Sequence, residues 1–135
     1  MKCSLSRDML RGELRGQIAE LSEQNVLACY QCGKCSAGCP SIEAMDVPPS
    51  QVIRLVQLGQ VEEASKSKTI WLCAACQTCK VRCPRGVDLS RIMEALRQIV
   101  LRENVDYTHP NKISKEDLEG LPQIALIASF RKQSP

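Results

Sequence analysis

Apolar positions at helical spacing run through most of this 135-residue chain, and they predict a mainly α fold. Leu10, Leu14, Ile18 and Leu21 place a helix within Asp8 to Leu21, weakened by Gly12 and Gly16. Val52, Ile53, Leu55 and Val56 mark a second helix across Val47 to Gln57, with Gly59 as its stop. The clearest stripe is Leu89, Ile92, Met93, Leu96 and Val100, set against Arg91, Glu94 and Arg102. A short helix fits around Val61 to Ser67. All of these stripes read as core packing and carry no chemistry of their own.

Two of the helices are copies. Val47 to Gln57 (VPPSQVIRLVQ) aligns with Val87 to Arg97 (VDLSRIMEALR) at an offset of 40, matching Val47 to Val87 and Ser50 to Ser90. Each copy follows a cysteine run, and the runs repeat at an offset of 44: Cys29, Cys32, Cys35, Cys39, Pro40 and Cys73, Cys76, Cys79, Cys83, Pro84. The first half therefore holds four extra residues within Ser41 to Asp46. The C-x-x-C-x-x-C-x-x-x-C-P run holds a [4Fe–4S] cubane through thiolates, so two runs imply two cubanes. The sole histidine, His109, lies far from both runs in sequence, which leaves eight soft thiolates as the ligands.

Two other readings compete. A disulfide scaffold needs an oxidising compartment, whereas MKCSLSRDML has no apolar export region and nine cysteines leave one unpaired. Structural zinc usually takes paired knuckles separated by a loop, not four cysteines in one run. The leftover Cys3 reads as a free thiol. Thiolate ligands and the absence of an export region point to the cytoplasm.

Composition changes the picture in two places. Aromatics make up only 3% of the chain, so the core is thin and folding is expected to depend on the clusters. The formal charge of +3 becomes about −1 once two dianionic cubanes are counted, so it does not imply nucleic acid. Lys34, Lys80, Arg82 and Arg85, in or beside the runs, suit local neutralisation. No stretch approaches the ~20 apolar residues of a membrane span. Trp71 is expected to cover a cluster edge or to fill the core. Gly33 and Gly38, in the first run only, predict different potentials for the two clusters.

The expected organisation is an N-terminal segment (1–24), a two-cluster domain (25–104) and a C-terminal tail (105–135). Ser114 caps a possible helix in that tail. Ile124, Leu126, Ile127 and Phe130 form an apolar patch suited to docking on another subunit.

The residues from Asn25 to Asn104, with both runs and both helix copies, resemble the C-type (HdrC-like) component of heterodisulfide reductase. The resemblance implies an α-helical ferredoxin whose helices clasp both clusters. In two-cluster ferredoxins the fourth cysteine of each run ligates the other cubane. By that pattern Cys29, Cys32, Cys35 and Cys83 hold one cluster, and Cys73, Cys76, Cys79 and Cys39 hold the other. The implied role is a non-catalytic relay of single electrons, with no substrate site of its own. Its implied partners are a flavin-containing A-type (HdrA-like) subunit and a catalytic B-type (HdrB-like) subunit with CCG repeats. A free, diffusible two-cluster ferredoxin is the alternative. A zinc-stabilised interaction module is a weaker one.

Overall fold

The computed structural model describes residues 12–103, 105 and 112–133, the side chains of 130–133 excepted. Cys3, Leu10, His109 and the Phe130 side chain lie outside the described residues. Every regular element among the described residues is a helix, as expected of an α-helical ferredoxin-like fold. The chain divides into two units, Met1–Glu103 and Asn104–Pro135.

In the first unit α1 spans Glu13–Ser22. The expected start near Asp8 lies outside the described residues. Ile18 is fully buried, and the Ser22 hydroxyl donates to its carbonyl at 2.6 Å. A short 3₁₀ turn at Val26–Ala28 leads into the first cysteine run. The run contains α2 (Lys34–Ala37), and a second 3₁₀ turn follows at Ile42–Ala44.

Next comes α3, Pro49–Gln57. Proline suits its first position because that N–H has no helical partner. The helix ends as Gly59 predicts. The Gly59 N–H reaches the Val56 carbonyl at 3.1 Å and the Gln60 N–H reaches the Leu55 carbonyl at 2.9 Å. Gly59 takes φ 76°, the left-handed turn this closure needs. Val61–Lys66 forms α4 and Thr69–Leu72 forms α5. The second run holds α6 (Thr78–Arg82) and is followed by α7 (Leu89–Arg102).

The core gathers around α7, which packs against α1, α4, α5 and α6. Ile92, Met93 and Leu96 on α7 meet Val52 and Val56 of α3 and Ile18 of α1 in one buried cluster. The half-buried Cys29, Cys35, Cys73, Cys79 and Cys83 pack against that cluster, so both runs are seated on the core.

Trp71 does not fill the core. It is 50% exposed, while its neighbour Ile70 takes the buried place. Successive side chains on a helix point about 100° apart, and here the branched aliphatic one fills the core.

In the second unit α8 (Lys115–Gly120) starts at Ser114, whose hydroxyl accepts from the Asp117 N–H at 3.1 Å. This is the expected cap. Gln123–Gln133 forms α9, on which Ile124 and Ile127 are exposed.

Candidate functional site

Each run folds through the same unusual backbone. Gln31 (φ 65°) and Gly33 (φ 78°) are left-handed in the first run, and Ala75 (φ 51°) and Gln77 (φ 59°) occupy the same places in the second. Left-handed backbone costs a non-glycine residue about 1–2 kcal/mol. Strain of this kind persists where the surroundings over-determine it, and it concentrates at functional sites. Here it bends the segment between the cysteines so that α2 and α6 each begin immediately after the second left-handed residue. Those helices carry Cys35 and Cys79 in their first turns.

Backbone N–H groups face the sulfurs. The Val87 N–H lies 3.3 Å from Cys83 Sγ, and the Gln31 N–H lies 3.5 Å from Cys29 Sγ. Burial pushes the Cys35 thiol up, against the backbone N–H of Ser36. Burial likewise raises Cys79, against the backbone N–H of Lys80, the same position in the second run. Cys76, at the surface, is lowered by the Thr78 hydroxyl, 3.4 Å from its sulfur.

A largely apolar cavity opens between the runs. Its lining includes Cys73, Cys76 and Cys79 from the second run and Cys39 and Cys35 from the first. Met45, Pro49, Leu89 and Met93 supply apolar wall. The four cysteines expected to share one cluster line one hollow, and Cys35, expected in the other set, lines it as well. The other four are linked in pieces. The Tyr30 hydroxyl is raised by desolvation, by its hydrogen bond with Cys32 and by Cys83, with Arg85 opposing. Cys32 of the first run and Cys83 of the second thus both act electrostatically on Tyr30. Cys29 in turn acts on Cys35.

Among the described residues no three His, Cys, Asp or Glu side chains close on a point that would hold a single metal ion. The thiols instead ring a space. An all-thiolate donor set around an apolar hollow fits iron–sulfur chemistry.

The basic residues beside the runs have separate tasks. Lys80 pairs with the buried Asp88 at 3.2 Å, and Arg91 approaches the same oxygen at 3.9 Å. Burial works to raise the Asp88 carboxyl, but hydrogen bonds from Ser90, Lys80 and the Arg91 N–H outweigh it, so the group sits below its usual range. Arg85 lies over the Tyr30 ring, 6.0 Å from its centre. Arg82 lies across Gly38.

Three residues of the site went unnoticed in the sequence. Gln57 Nε2 donates to the carbonyls of Val26 at 2.9 Å and Cys29 at 2.7 Å. Arg97 does the same in the second half, through Nε to Ile70 O at 2.5 Å and through Nη2 to Cys73 O. The two residues are the last positions of the aligned helix copies, and that alignment was the available signal. The third is Asp46, in the extra segment of the first half. Its carboxylate accepts from the N–H groups of Lys68 (2.9 Å) and Thr69 (3.0 Å) and from the Thr69 hydroxyl (2.8 Å). The Lys68 N–H leads the interactions that hold its carboxyl down at about 2.

Comparison with known proteins agrees with this geometry. The 4Fe-4S dicluster domain family matches residues 28–88. The C-type iron-sulfur component of CoB–CoM heterodisulfide reductase from Methanopyrus kandleri is 40% identical over 79 residues, 58% of this chain and 41% of that protein. The second C-type iron-sulfur component of the same reductase in Methanocaldococcus jannaschii is 39% identical over 80 residues, 59% of this chain and 42% of its own. The C-type component of a ferredoxin:CoB-CoM heterodisulfide reductase from Methanosarcina acetivorans is 36% identical over 77 residues, 57% of this chain and 31% of its own. The matches thus span less than half the length of these relatives.

Proposed function

We infer, from a chain whose residues 28–88 match the 4Fe-4S dicluster domain family and which is similar to C-type components of heterodisulfide reductase, that it relays single electrons within a larger complex. One cluster is held by Cys29, Cys32, Cys35 and Cys83, the other by Cys73, Cys76, Cys79 and Cys39. The observation that carries this reading is the cavity, where Cys39 of the first run joins Cys73, Cys76 and Cys79 of the second. When bound, a [4Fe–4S] cubane supplies a one-electron centre whose potential depends on charge, hydrogen bonds to sulfur and exposure. The protein's part is to hold thiolates, direct N–H groups at sulfur and keep water back with Met45, Leu89 and Met93. The crossed ligands stitch the two halves together and fix the distance between the centres.

The same reading divides the chain into an N-terminal segment (1–24), the two-cluster domain (25–104) and a docking tail (105–135). The exposed Ile124 and Ile127 support that use of the tail. Partners are an A-type flavoprotein and a B-type CCG-domain subunit, and the reaction served is reduction of a disulfide of the CoB–CoM kind. No helix among the described residues is long and apolar enough to cross a membrane, and oxygen-sensitive ligands suit the cytoplasm.

Anoxic purification with metal and sulfide analysis is the direct test. About eight irons and eight acid-labile sulfides per chain are expected for two cubanes. Zinc without sulfide overturns the reading. Removing the iron should also cost most of the helical circular dichroism, because the thin core depends on the staples. Co-elution of a flavoprotein with a CCG-containing subunit is expected from the native host. A lone iron–sulfur protein would make the chain a diffusible carrier.

A further inference from the structure

The two halves close the start of each run with the same clamp but build it from different chemistry. In the first half an amide, Gln57, grips the carbonyls of Val26 and Cys29. In the second a guanidinium, Arg97, grips the carbonyls of Ile70 and Cys73. The gripped residues are related by the repeat of the runs, and the gripping residues by the repeat of the helices. Hydrogen bonding alone does not call for a cation, since Gln57 satisfies the same two acceptors while neutral. What Arg97 adds is a fixed positive charge behind the first cysteine of the second run.

That charge is only partly screened. The Arg97 side chain is 19% exposed, whereas its counter-ion Glu94, at 3.2 Å from Nη1, is 55% exposed on the outer side. In the first half the order is reversed. Arg54, on the same helix as Gln57, is exposed and reaches only the far oxygen of Gln57 at 3.5 Å. That oxygen also accepts from Gln31 Nε2 at 3.0 Å, and Gln31 Nε2 lies 3.7 Å from Cys29 Sγ. A neutral amide pair therefore stands beside Cys29 where a guanidinium stands behind Cys73. Reduction adds one negative charge to a cluster, and a nearby cation with little water around it favours that state.

We propose that Arg97 is a positioning residue that sets the potential of the cluster held by Cys73, Cys76, Cys79 and Cys39, keeping it easier to reduce than an amide at that place would. The proposal rests on the two-cluster reading above. Its test is a redox titration followed by EPR on anoxically prepared, full-length Arg97→Gln and Arg97→Lys, each first assayed for iron and sulfide. Cys76→Ser, which alters an exposed ligand, identifies the signal of the second-run cluster.

In Arg97→Gln that signal alone should titrate lower. About a tenfold loss of the reduced form at fixed potential is expected for a partly screened charge, which for one electron is about 59 mV. Arg97→Lys keeps the charge and should leave both midpoints at the wild-type values. Equal shifts of both signals, no shift, or a shift of the first-run signal in Arg97→Gln would overturn the proposal. A lowered midpoint in Arg97→Lys would overturn it too, and that holds even if Arg97→Gln loses its iron. Zinc, or a single cluster, in the wild type would mark failure of the two-cluster reading instead.

Discussion

The two halves of the cysteine repeat have the same backbone and differ in what surrounds it. Both runs place left-handed residues at matching positions, both set their third cysteine on a short helix, and both are followed by a longer core helix. The differences lie outside the ligands. Arg97 stands for Gln57 and Arg82 for Gly38. Asp88 caps α7 where Pro48 precedes α3, and an extra loop carrying Asp46 exists only in the first half. Shared features set the backbone of the cysteine runs, and unshared ones fit each half to its neighbours and give the two runs different surroundings.

The largest break in this comparison is expected from Asp88→Ala. Asp88 is 2% exposed and accepts from the Ser90 N–H at 3.1 Å and the Arg91 N–H at 3.4 Å. Losing the cap alone costs about 1 kcal/mol, and stranding the Ser90 hydroxyl, which donates to the same carboxylate, adds to that. A loss of about 2 kcal/mol in anoxic denaturant unfolding is expected. Pro48→Ala, at the equivalent place before α3, removes no side-chain cap and should cost less.

Exchange at the left-handed positions comes next. Gly33 has open space where a Cβ would go, so Gly33→Ala meets backbone strain only. About 1 kcal/mol of destabilisation is expected, readable in the same unfolding experiment. The reverse change, Gln77→Gly, gains less than that, because glycine also loosens the unfolded chain by about 0.4–1 kcal/mol. A loss of stability in Gln77→Gly would mean that the second run is not strained at Gln77.

Asp46 sharpens the comparison through pH. Its carboxyl sits at about 2 in the folded chain, below its ordinary value of 3.8. Folding therefore favours the ionised form. The stabilisation is complete above the unfolded value and is lost as pH falls through the folded one. Asp46→Asn should melt below wild type near neutral pH, and the gap should close as pH falls from about 4 toward 2. A gap independent of pH would place the effect in shape and not in charge.

The grouping of the cysteines was legible because their spacing is a covalent pattern: residues three and four apart read the same on any fold. The core helices were legible because Leu89, Ile92, Met93 and Leu96 repeat on one face. The supporting polar residues were not. A glutamine or arginine closing an apolar stripe reads as a solvent-facing end, and only the fold shows Gln57 to be 7% exposed and bonded to two carbonyls. Asp46 was hidden for another reason: its partners, Lys68 and Thr69, lie over twenty residues away. Of the two places open to Trp71, the core was the wrong one, because on a helix as short as Thr69–Leu72 the adjacent Ile70 occupies the inward position.

The smallest effect is expected where the halves touch. Gly38 of the first run faces Arg82, its counterpart in the second, as α2 packs on α6. A Cβ on Gly38 would come within 2.7 Å of Arg82 Cδ and 2.9 Å of Cζ, and would also meet Nη1. Contacts this close demand movement, but every atom met belongs to the outer part of a long, exposed side chain that can swing into solvent. The backbone at Gly38 (φ −108°) is open to any residue, so no strain is added there. Gly38→Ala should therefore change stability by no more than about 0.5 kcal/mol. What it should change is where the Arg82 charge sits, since the guanidinium must leave the surface of the first run. With both clusters present, unchanged unfolding and a shifted redox midpoint would place Arg82 among the electrostatic differences between the halves. A large loss of stability with Gly38→Ala would instead show that the α2–α6 contact is rigid and that glycine is required there for packing.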